Sequence, residues 1–304
     1  LTANFKQLKK DKGDSPPWRA ASLSYTGADG APAKLPLKVR TRGIWRLKNC
    51  EMPPLRLNIA KESSKGTIFA KLDKPKLASY CRDNDDYEQY LLQEFQLYRV
   101  YSLFTPIGHK VRLAHMTYVD SASDKPVTTR YAILEEEPAE LASRVGGFLI
   151  EQQGAGADDL DQPHLTLFNV FQYFIGNTDW SIPALHNVEL VGKDTAVYPI
   201  AYDFDFAGAV NTRYATPDPR LSIKRVRDRL YRGYCAQPAL LPPVYAKFNQ
   251  EKDAIYGLYK DKLGSLLRPN IVRETLSYFD EFYQTISDQR LAKGNIQDQC
   301  LGRR

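Results

Sequence analysis

The sequence HLTLFNVFQYFIGNTDW at residues 164–180 combines an apolar helix with a polar turn. Its apolar residues occupy nearly every side of a helix, which predicts deep burial in a core. Gly176 and Asn177 are typical of the turn that ends such a helix. The turn therefore carries one acidic residue, Asp179, away from the end of a core helix.

A second polar cluster follows within thirty residues. The segments Val188–Val191 and Ala196–Asp203 predict a hairpin around the turn residues 192–194. Pairing of these strands would bring Asn187 and Asp203 side by side at the open end, within reach of one shared cation. Strand alternation would put Asp205 on the same side as Asp203 if the strand continued to Phe206.

The segments outside this region predict a sheet-rich first part and a mostly helical second part. Residues 1–18 are interpreted as a peripheral arm. The predicted strands of the first part are Ala20–Tyr25, Leu35–Arg42, Leu55–Ala60, Thr67–Leu72, Lys74–Tyr80, Val111–Asp120 and Thr128–Glu135. One helix, Tyr87–Phe104, interrupts them, and a short helix ends near Arg144. The later predicted helices are Leu221–Leu230, Leu240–Asn249, Lys252–Leu263 and Asn270–Asp288. This order indicates a two-lobed α+β fold, with domains at residues 1–136 and 137–304.

Glu94 is the most informative charged residue of the predicted helix Tyr87–Phe104. Its spacing places it within the apolar stripe, where a carboxylate needs a cationic partner. Lys76 is the first candidate and Lys71 the second, because both stand on preceding strands. Such a lysine–glutamate pair can hold nucleotide phosphates. A structural ion pair, or a glutamate reaching water, is the alternative.

Bulk properties exclude several classes of protein. The chain has 304 residues, 43% of them apolar, and a formal net charge of +6. It contains no dense basic stripe interleaved with aromatic residues, which argues against nucleic-acid binding. No apolar run approaches the roughly 20 residues that cross a bilayer. The dinucleotide and P-loop glycine motifs are absent from the sequence.

Localisation is predicted from the first residue and from the cysteines. The chain begins at Leu1 rather than Met, which is expected of a processed or a truncated product, and removal of a signal peptide is one of these alternatives. The four cysteines, Cys50, Cys81, Cys235 and Cys300, lack the CxxC spacing of a zinc site. They can form disulfides or remain reduced, and the sequence leaves their pairing open.

Three short polar segments of the chain resemble the acidic core of the spore-coat CotH kinases and, more loosely, of the HipA-like kinases. In chain order they are GNTD at residues 176–179, HN at 186–187 and YDFDFAG at 202–208. The resemblance implies an atypical protein-kinase fold with a sheet-rich N-lobe and a helical C-lobe. It also implies that Asp179 is the catalytic base and that Asn187 and Asp203 bind metal, with Asp205 as a further acidic contributor. Residues 40–43, RTRG, resemble the family's N-lobe, and Arg42 could cover phosphates or lie on a solvated basic strand.

The family's nucleotide lysine has no direct counterpart here, because the corresponding stretch reads PPLRL at residues 53–57. Lys76 is the preferred phosphate ligand, with Arg56 and Lys71 as rivals. The predicted function is an ATP- and Mg²⁺- or Mn²⁺-dependent kinase, extracytoplasmic, acting on a protein or glycan hydroxyl. The alternatives are AMP transfer on the same fold, a catalytically inactive binding module, and, as a weaker option, a metal-dependent phosphodiesterase. The acceptor and the oligomeric state stay open.

Overall fold

A computed structural model describes residues 1–302 except 12, 14, 44 and 71. The chain divides into two compact units. The barrel unit comprises Leu1–Leu91 with Lys110–Glu137, and the helical unit comprises Leu92–His109 with Pro138–Arg304.

The barrel unit is a closed sheet. Its strands are β1 (Thr2–Ala3), β2 (Arg19–Thr26), β3 (Pro32–Thr41), β4 (Leu55–Asn58), β5 (Lys76–Ala78), β6 (Val111–Asp120) and β7 (Lys125–Glu135). They follow each other around the barrel in the order β1-β2-β3-β4-β5-β7-β6. Closure depends on β1, which pairs antiparallel with β2 and parallel with β6.

Alternation along the strands explains the barrel interior. Leu35, Leu37 and Val39 of β3 are buried together with Leu55 and Leu57 of β4, so every second residue points into one apolar core. Intervening residues point to the other side of the sheet. Burial of this leucine-rich core stabilises the barrel, since each fully buried aliphatic side chain contributes about 1.5–3 kcal/mol.

The closed barrel contradicts the prediction of a two-lobed, kinase-like fold; the molecule is instead an α+β protein that contains a barrel. The prediction failed at the first residues. The segment 1–18 is not a peripheral arm, because Ala3, Phe5 and Leu8 are buried in the barrel core. A two-residue strand, β1, is too short to show a period-2 pattern in the sequence.

Short helices complete the barrel unit: α1 (Phe5–Leu8), α2 (Trp45–Asn49) and α3 (Lys61–Ser64). The predicted strand Thr67–Leu72 is wrong. Ala70 N donates to Thr67 O at 3.1 Å, and Leu72 N donates to Phe69 O at 3.1 Å, so local turns replace a strand there. The predicted helix near residue 87 is confirmed as α4 (Asp85–Phe104).

The helical unit contains a three-stranded sheet and the longer C-terminal helices. Its helices are α5 (Pro138–Arg144), α6 (Gln162–Ile175), α7 (Leu241–Leu258), α8 (Pro269–Ser287) and α9 (Gln289–Ala292). Its strands β8 (Phe148–Ile150), β9 (Val188–Lys193) and β10 (Ala196–Ala201) pair in the order β10-β9-β8. Phe174 of α6 stacks on Phe279 of α8 with ring centroids 4.3 Å apart, which confirms that α6 is a core helix.

Residues 202–237, between β10 and the next helical turn, contain neither helix nor strand, so the predicted helix Leu221–Leu230 is wrong. Two arginines explain this. Arg229 and Arg232 donate to main-chain carbonyls of other segments, and a helix in this region would direct them differently. The predicted helices Leu240–Asn249 and Lys252–Leu263 are one helix, α7, which ends at Leu258, so the predicted helical residues 259–263 lie outside it.

Two disulfides, Cys50–Cys81 and Cys235–Cys300, settle the pairing that the sequence left open. Disulfides of this kind are typical of oxidising, extracytoplasmic compartments. Each lies within one unit, the first in the barrel unit and the second in the helical unit. Among the residues that the structure describes, no helix is long and apolar enough to cross a membrane.

Candidate functional site

The turn after α6 is fixed by its own backbone. Gly176 adopts φ 67°, and its N–H and that of Asn177 donate to carbonyls of the last helical turn. Asn177 Oδ1 accepts from Asp179 N at 2.9 Å, and Trp180 Nε1 donates to Asn177 O at 3.1 Å. These bonds define a rigid turn that presents the Asp179 side chain.

Asp179 is held from two sides by residues of the following loop. His186 Nε2 lies 2.8 Å from Asp179 Oδ1, and Asn187 Nδ2 donates to Asp179 Oδ2 at 3.2 Å. Asn187 Nδ2 also donates to Asp179 O at 2.8 Å. The Asp179 side chain is 38% exposed, so its oriented carboxylate can still be reached from solvent.

The predicted hairpin is confirmed, with Ala201 opposite Val188 in β10 and β9. Tyr202 N donates to Asn187 O at 3.3 Å, which extends the pairing by one residue, so that Tyr202 lies opposite Asn187 and Asp203 follows directly in the chain. Both residues have left-handed backbone conformations, with φ 53° at Asn187 and 60° at Asp203. Such strain in residues other than glycine is frequent at functional sites.

Charges of both signs meet around Asp179. The hydrogen bond to Asp179 raises the pKa of His186, and the negative charges of Asp179 and Asp203 act in the same direction. Burial lowers the pKa of Arg232, while the carboxylates of Asp218 and Asp179 act against that shift. Asp179, Asp203, His186 and Arg232 therefore form one electrostatic group within the helical unit.

Arg232 is a site residue that the sequence did not identify, because it ends the basic run at residues 224–232, and such a run is typical of a solvated surface. Its Nη1 donates to Thr178 O and, at 3.2 Å, to Trp180 O, the carbonyls on either side of Asp179. Its guanidinium lies 5.7 Å from the centroid of the Trp180 ring. Arg232 thus stabilises the turn through its main-chain carbonyls. No local sequence signal could have shown this, because the bonds join residues that are far apart in the chain.

Asp205 lies in a different environment from Asp203, and the alternation argument that joined them is wrong. Strand β10 ends at Ala201, and Asp203 N donates to Tyr98 OH at 2.9 Å instead of continuing a ladder. Asp205 is buried, and its Oδ2 accepts from Tyr214 OH at 3.0 Å. At least part of its role is therefore to hold the loop around Tyr214.

The donors present are compatible with Mg²⁺. Asn187 uses its Nδ2 on Asp179, so its Oδ1 points away from that bond, and Asp203 supplies a carboxylate. In the described part of the chain, no three His, Cys, Asp or Glu side chains cluster closely enough to hold an ion. Mg²⁺ commonly takes only one or two carboxylates from the protein and completes its shell with phosphates and water. Asn187 and Asp203 are the residues that fit that pattern.

Three of the predicted phosphate ligands, Lys76, Arg42 and Arg56, lie on the barrel unit, whereas Glu94 is buried on the part of α4 that belongs to the helical unit. Lys76 Nζ lies 2.8 Å from Glu135 Oε1 on the neighbouring strand β7. The Lys76–Glu94 pair stays a prediction. Arg42 and Arg56 lie half-buried at the end of β3 and on β4, and Lys71 lies outside the described residues.

Comparison with known proteins gives no assignment. No protein-family model matches the chain, and no curated protein matches it.

Proposed function

We propose that this protein is an ATP- and Mg²⁺-dependent kinase that phosphorylates a hydroxyl group of a protein or glycan in an extracytoplasmic compartment. The supporting observation is the Asp179 carboxylate, oriented by His186 and Asn187, together with the negative charge of Asp203, which acts on the same His186. The two disulfides support the compartment. The proposal rests on these side chains and not on the fold.

In this proposal Asp179 orients the acceptor hydroxyl and receives its proton. The hydroxyl oxygen forms a bond to the γ-phosphorus, the bond from that phosphorus to the β–γ bridging oxygen breaks, and ADP leaves. Asn187 Oδ1 and the Asp203 carboxylate would hold Mg²⁺, which neutralises phosphate charge when bound. His186 and Arg232 keep the Asp179 turn in place, so little reorganisation is needed during the reaction. Lys76, Arg42 and Arg56 remain predicted phosphate ligands.

Asp179→Asn tests the role of the base, because it removes the charge and keeps the side-chain volume. We expect the transfer of label from γ-labelled ATP to fall by about 10²–10⁴-fold, the usual contribution of a general base. ATP binding, measured by thermal shift with Mg²⁺ or Mn²⁺, should persist. The acceptors would be the protein itself and a panel of hydroxyl-bearing peptides and glycans.

Asp194→Asn is the matched control, since Asp194 is an exposed residue in the turn of the same hairpin and asparagine tolerates its φ of 53°. Unchanged transfer in Asp179→Asn would overturn the assignment of the base. Transfer from α-labelled ATP would show AMP transfer instead. A thermal shift with no transfer to any acceptor would favour a binding module.

A further inference from the structure

A row of charged side chains crosses four neighbouring strands of the barrel unit. Arg40 of β3 lies opposite Arg56 of β4 in the strand register. Arg56 in turn lies opposite Lys76 of β5, and Lys76 lies opposite Glu135 of β7. Register partners on antiparallel strands point to the same side of a sheet. The residues that flank Arg40 and Arg56, such as Val39 and Leu57, lie in the barrel core, so the row faces the opposite side.

The two ends of this row differ in charge balance. Lys76 and Glu135 are buried and form an ion pair of 2.8 Å, so the charge of the lysine is compensated. Arg40 and Arg56 are like charges directly opposite each other, which destabilises a sheet. The arginine end of the row therefore carries more positive than negative charge.

The groups around the arginines compensate them only in part. The guanidinium of Arg40 lies 4.6 Å from the centroid of the Trp18 ring. Arg56 Nη1 lies 3.6 Å from Glu137 Oε1, longer than a hydrogen bond. Arg42 extends the pairing of β3 beyond Thr41, because its N–H donates to Pro54 O at 3.0 Å.

Two buried donors of these arginines have no acceptor among the residues that the structure describes. They are the Nε atoms of Arg42 and Arg56, which are shielded from solvent and make no hydrogen bond to this part of the chain. Burial lowers the pKa of Arg56, and the positive charges of Arg42 and Arg40 add to that effect, against the opposing charges of Glu137 and Glu135. A buried guanidinium donor without an acceptor is costly, and an anion would remove that cost.

We propose that Arg40, Arg42 and Arg56 form a binding site for the phosphoryl groups of a polyphosphate, with the arginines rather than Lys76 as the main anion ligands. Guanidinium groups match phosphate oxygens with paired N–H donors. Three arginines face the carboxylates of Glu137 and Glu135, and Glu135 is already paired with Lys76, so the excess positive charge suits a multiply charged ligand. The site extends the proposed function to the phosphate ligands, but it holds or fails independently of Asp179.

Calorimetric titration of the full chain with inorganic triphosphate tests the site. Arg42→Gln and Arg56→Gln should each weaken binding at least tenfold. Lys38→Gln should change it less than twofold. Lys38 is the matched control because it is exposed on the same strand, and its replacement removes one charge outside the cluster. Titration with Mg·ATP shows whether the phosphates belong to a nucleotide. If they do, Mg·ATP should bind more tightly than triphosphate; if the ligand is a free polyphosphate, it should not. In both cases Arg42→Gln and Arg56→Gln should weaken binding.

A measurement on the unaltered protein covers the case in which a variant fails to fold. Phenylglyoxal modifies accessible arginines, and triphosphate should protect the three cluster arginines while exposed Arg220 and Arg225 continue to react. Asp179→Asn should leave triphosphate binding and protection unchanged, even if it abolishes transfer. Protection that falls outside the cluster, or triphosphate and ATP binding that is insensitive to both arginine variants, would overturn the proposal.

Discussion

His164 shows what burial does to one titratable residue of the helix that leads to the site. It is 9% exposed, and its Nε2 lies 3.1 Å from Pro199 O, so the neutral ring donates one hydrogen bond there. Burial lowers the pKa of His164 to about 4, while the hydrogen bond to Pro199 and the charge of Asp161 oppose that shift. The folded protein therefore excludes a proton that the unfolded chain binds.

The pH dependence follows from that difference in proton binding. Because the folded pKa lies below the unfolded value of about 6.5, the unfolded state takes up more protons between these values, and stability falls on acidification. Between about pH 7.5 and about pH 5 this residue should lower the free energy of unfolding by roughly 2 kcal/mol. Urea unfolding of the wild type and of His164→Gln at both pH values measures this change in the free energy of unfolding.

The change in the free energy of unfolding with pH is compared between the wild type and His164→Gln because other groups titrate in the same pH range. His186, whose pKa is raised, contributes in the opposite direction, and its effect cancels in the difference. His115→Gln is the matched control, since His115 is exposed on β6. An equal loss of stability in the wild type and in His164→Gln would contradict the prediction.

At the level of elements, the end of helix α6 decides where Asp179 stands. Gly176 ends the helix with φ 67°, and a Cβ atom built there would lie 1.9 Å from Tyr278 OH. Gly176→Ala should therefore destabilise the protein by about 3 kcal/mol, from the left-handed backbone and from overpacking against α8. Gly257→Ala on α7 is the control: apart from the adjoining backbone of its own helix, no described atom lies within 4 Å of a Cβ built there, and helix propensity predicts a gain of about 0.5–1 kcal/mol. Thermal unfolding compares the stability of the two variants with that of the wild type. Similar changes in Gly176→Ala and Gly257→Ala would contradict the prediction that Gly176 is required at the end of α6.

Arg229 closes the same helix end from the irregular segment 202–237. Its Nε donates to Tyr173 O at 3.2 Å and its Nη2 to Phe174 O at 3.1 Å and to Tyr278 O, and its guanidinium lies 3.5 Å from the centroid of the Tyr278 ring. We expect Arg229→Ala to lower the free energy of unfolding by about 3 kcal/mol, because several carbonyls lose a charged donor.

Arg229→Lys should recover little of that loss, since an ammonium cannot reproduce the planar arrangement of donors. The control, Arg225→Ala, removes an arginine that is 80% exposed and pairs with Asp228 at 2.7 Å. Surface ion pairs contribute about 1 kcal/mol or less, so its effect should be small. Full rescue by lysine would show that charge alone is needed at position 229.

At the scale of the whole molecule, the sequence predicted what local patterns encode. The β9–β10 hairpin, helix α6 and its Gly176 turn were predicted because period-2 and helical patterns and turn residues are local signals. Barrel closure by Thr2–Ala3 was missed because it depends on pairing with Val119, more than a hundred residues away. Arg232 was missed for the same reason: its bonds to the Asp179 turn are long-range, and a basic run alone suggests a solvated helix.

The two disulfides give a prediction for the stability of each unit. They link residues 31 and 65 positions apart, and loop entropy predicts a contribution of about 4 kcal/mol from each. Cys50→Ala/Cys81→Ala should lower the unfolding temperature and open the barrel unit first, whereas Cys235→Ala/Cys300→Ala should do so in the helical unit. Limited proteolysis with mass spectrometry locates the new cleavages, and the intact mass of the unreduced wild type should be lower than that of the reduced chain by four hydrogen atoms, two for each disulfide. Early cleavage in the unit that keeps its disulfide would contradict the prediction, since each cross-link constrains only segments of its own unit.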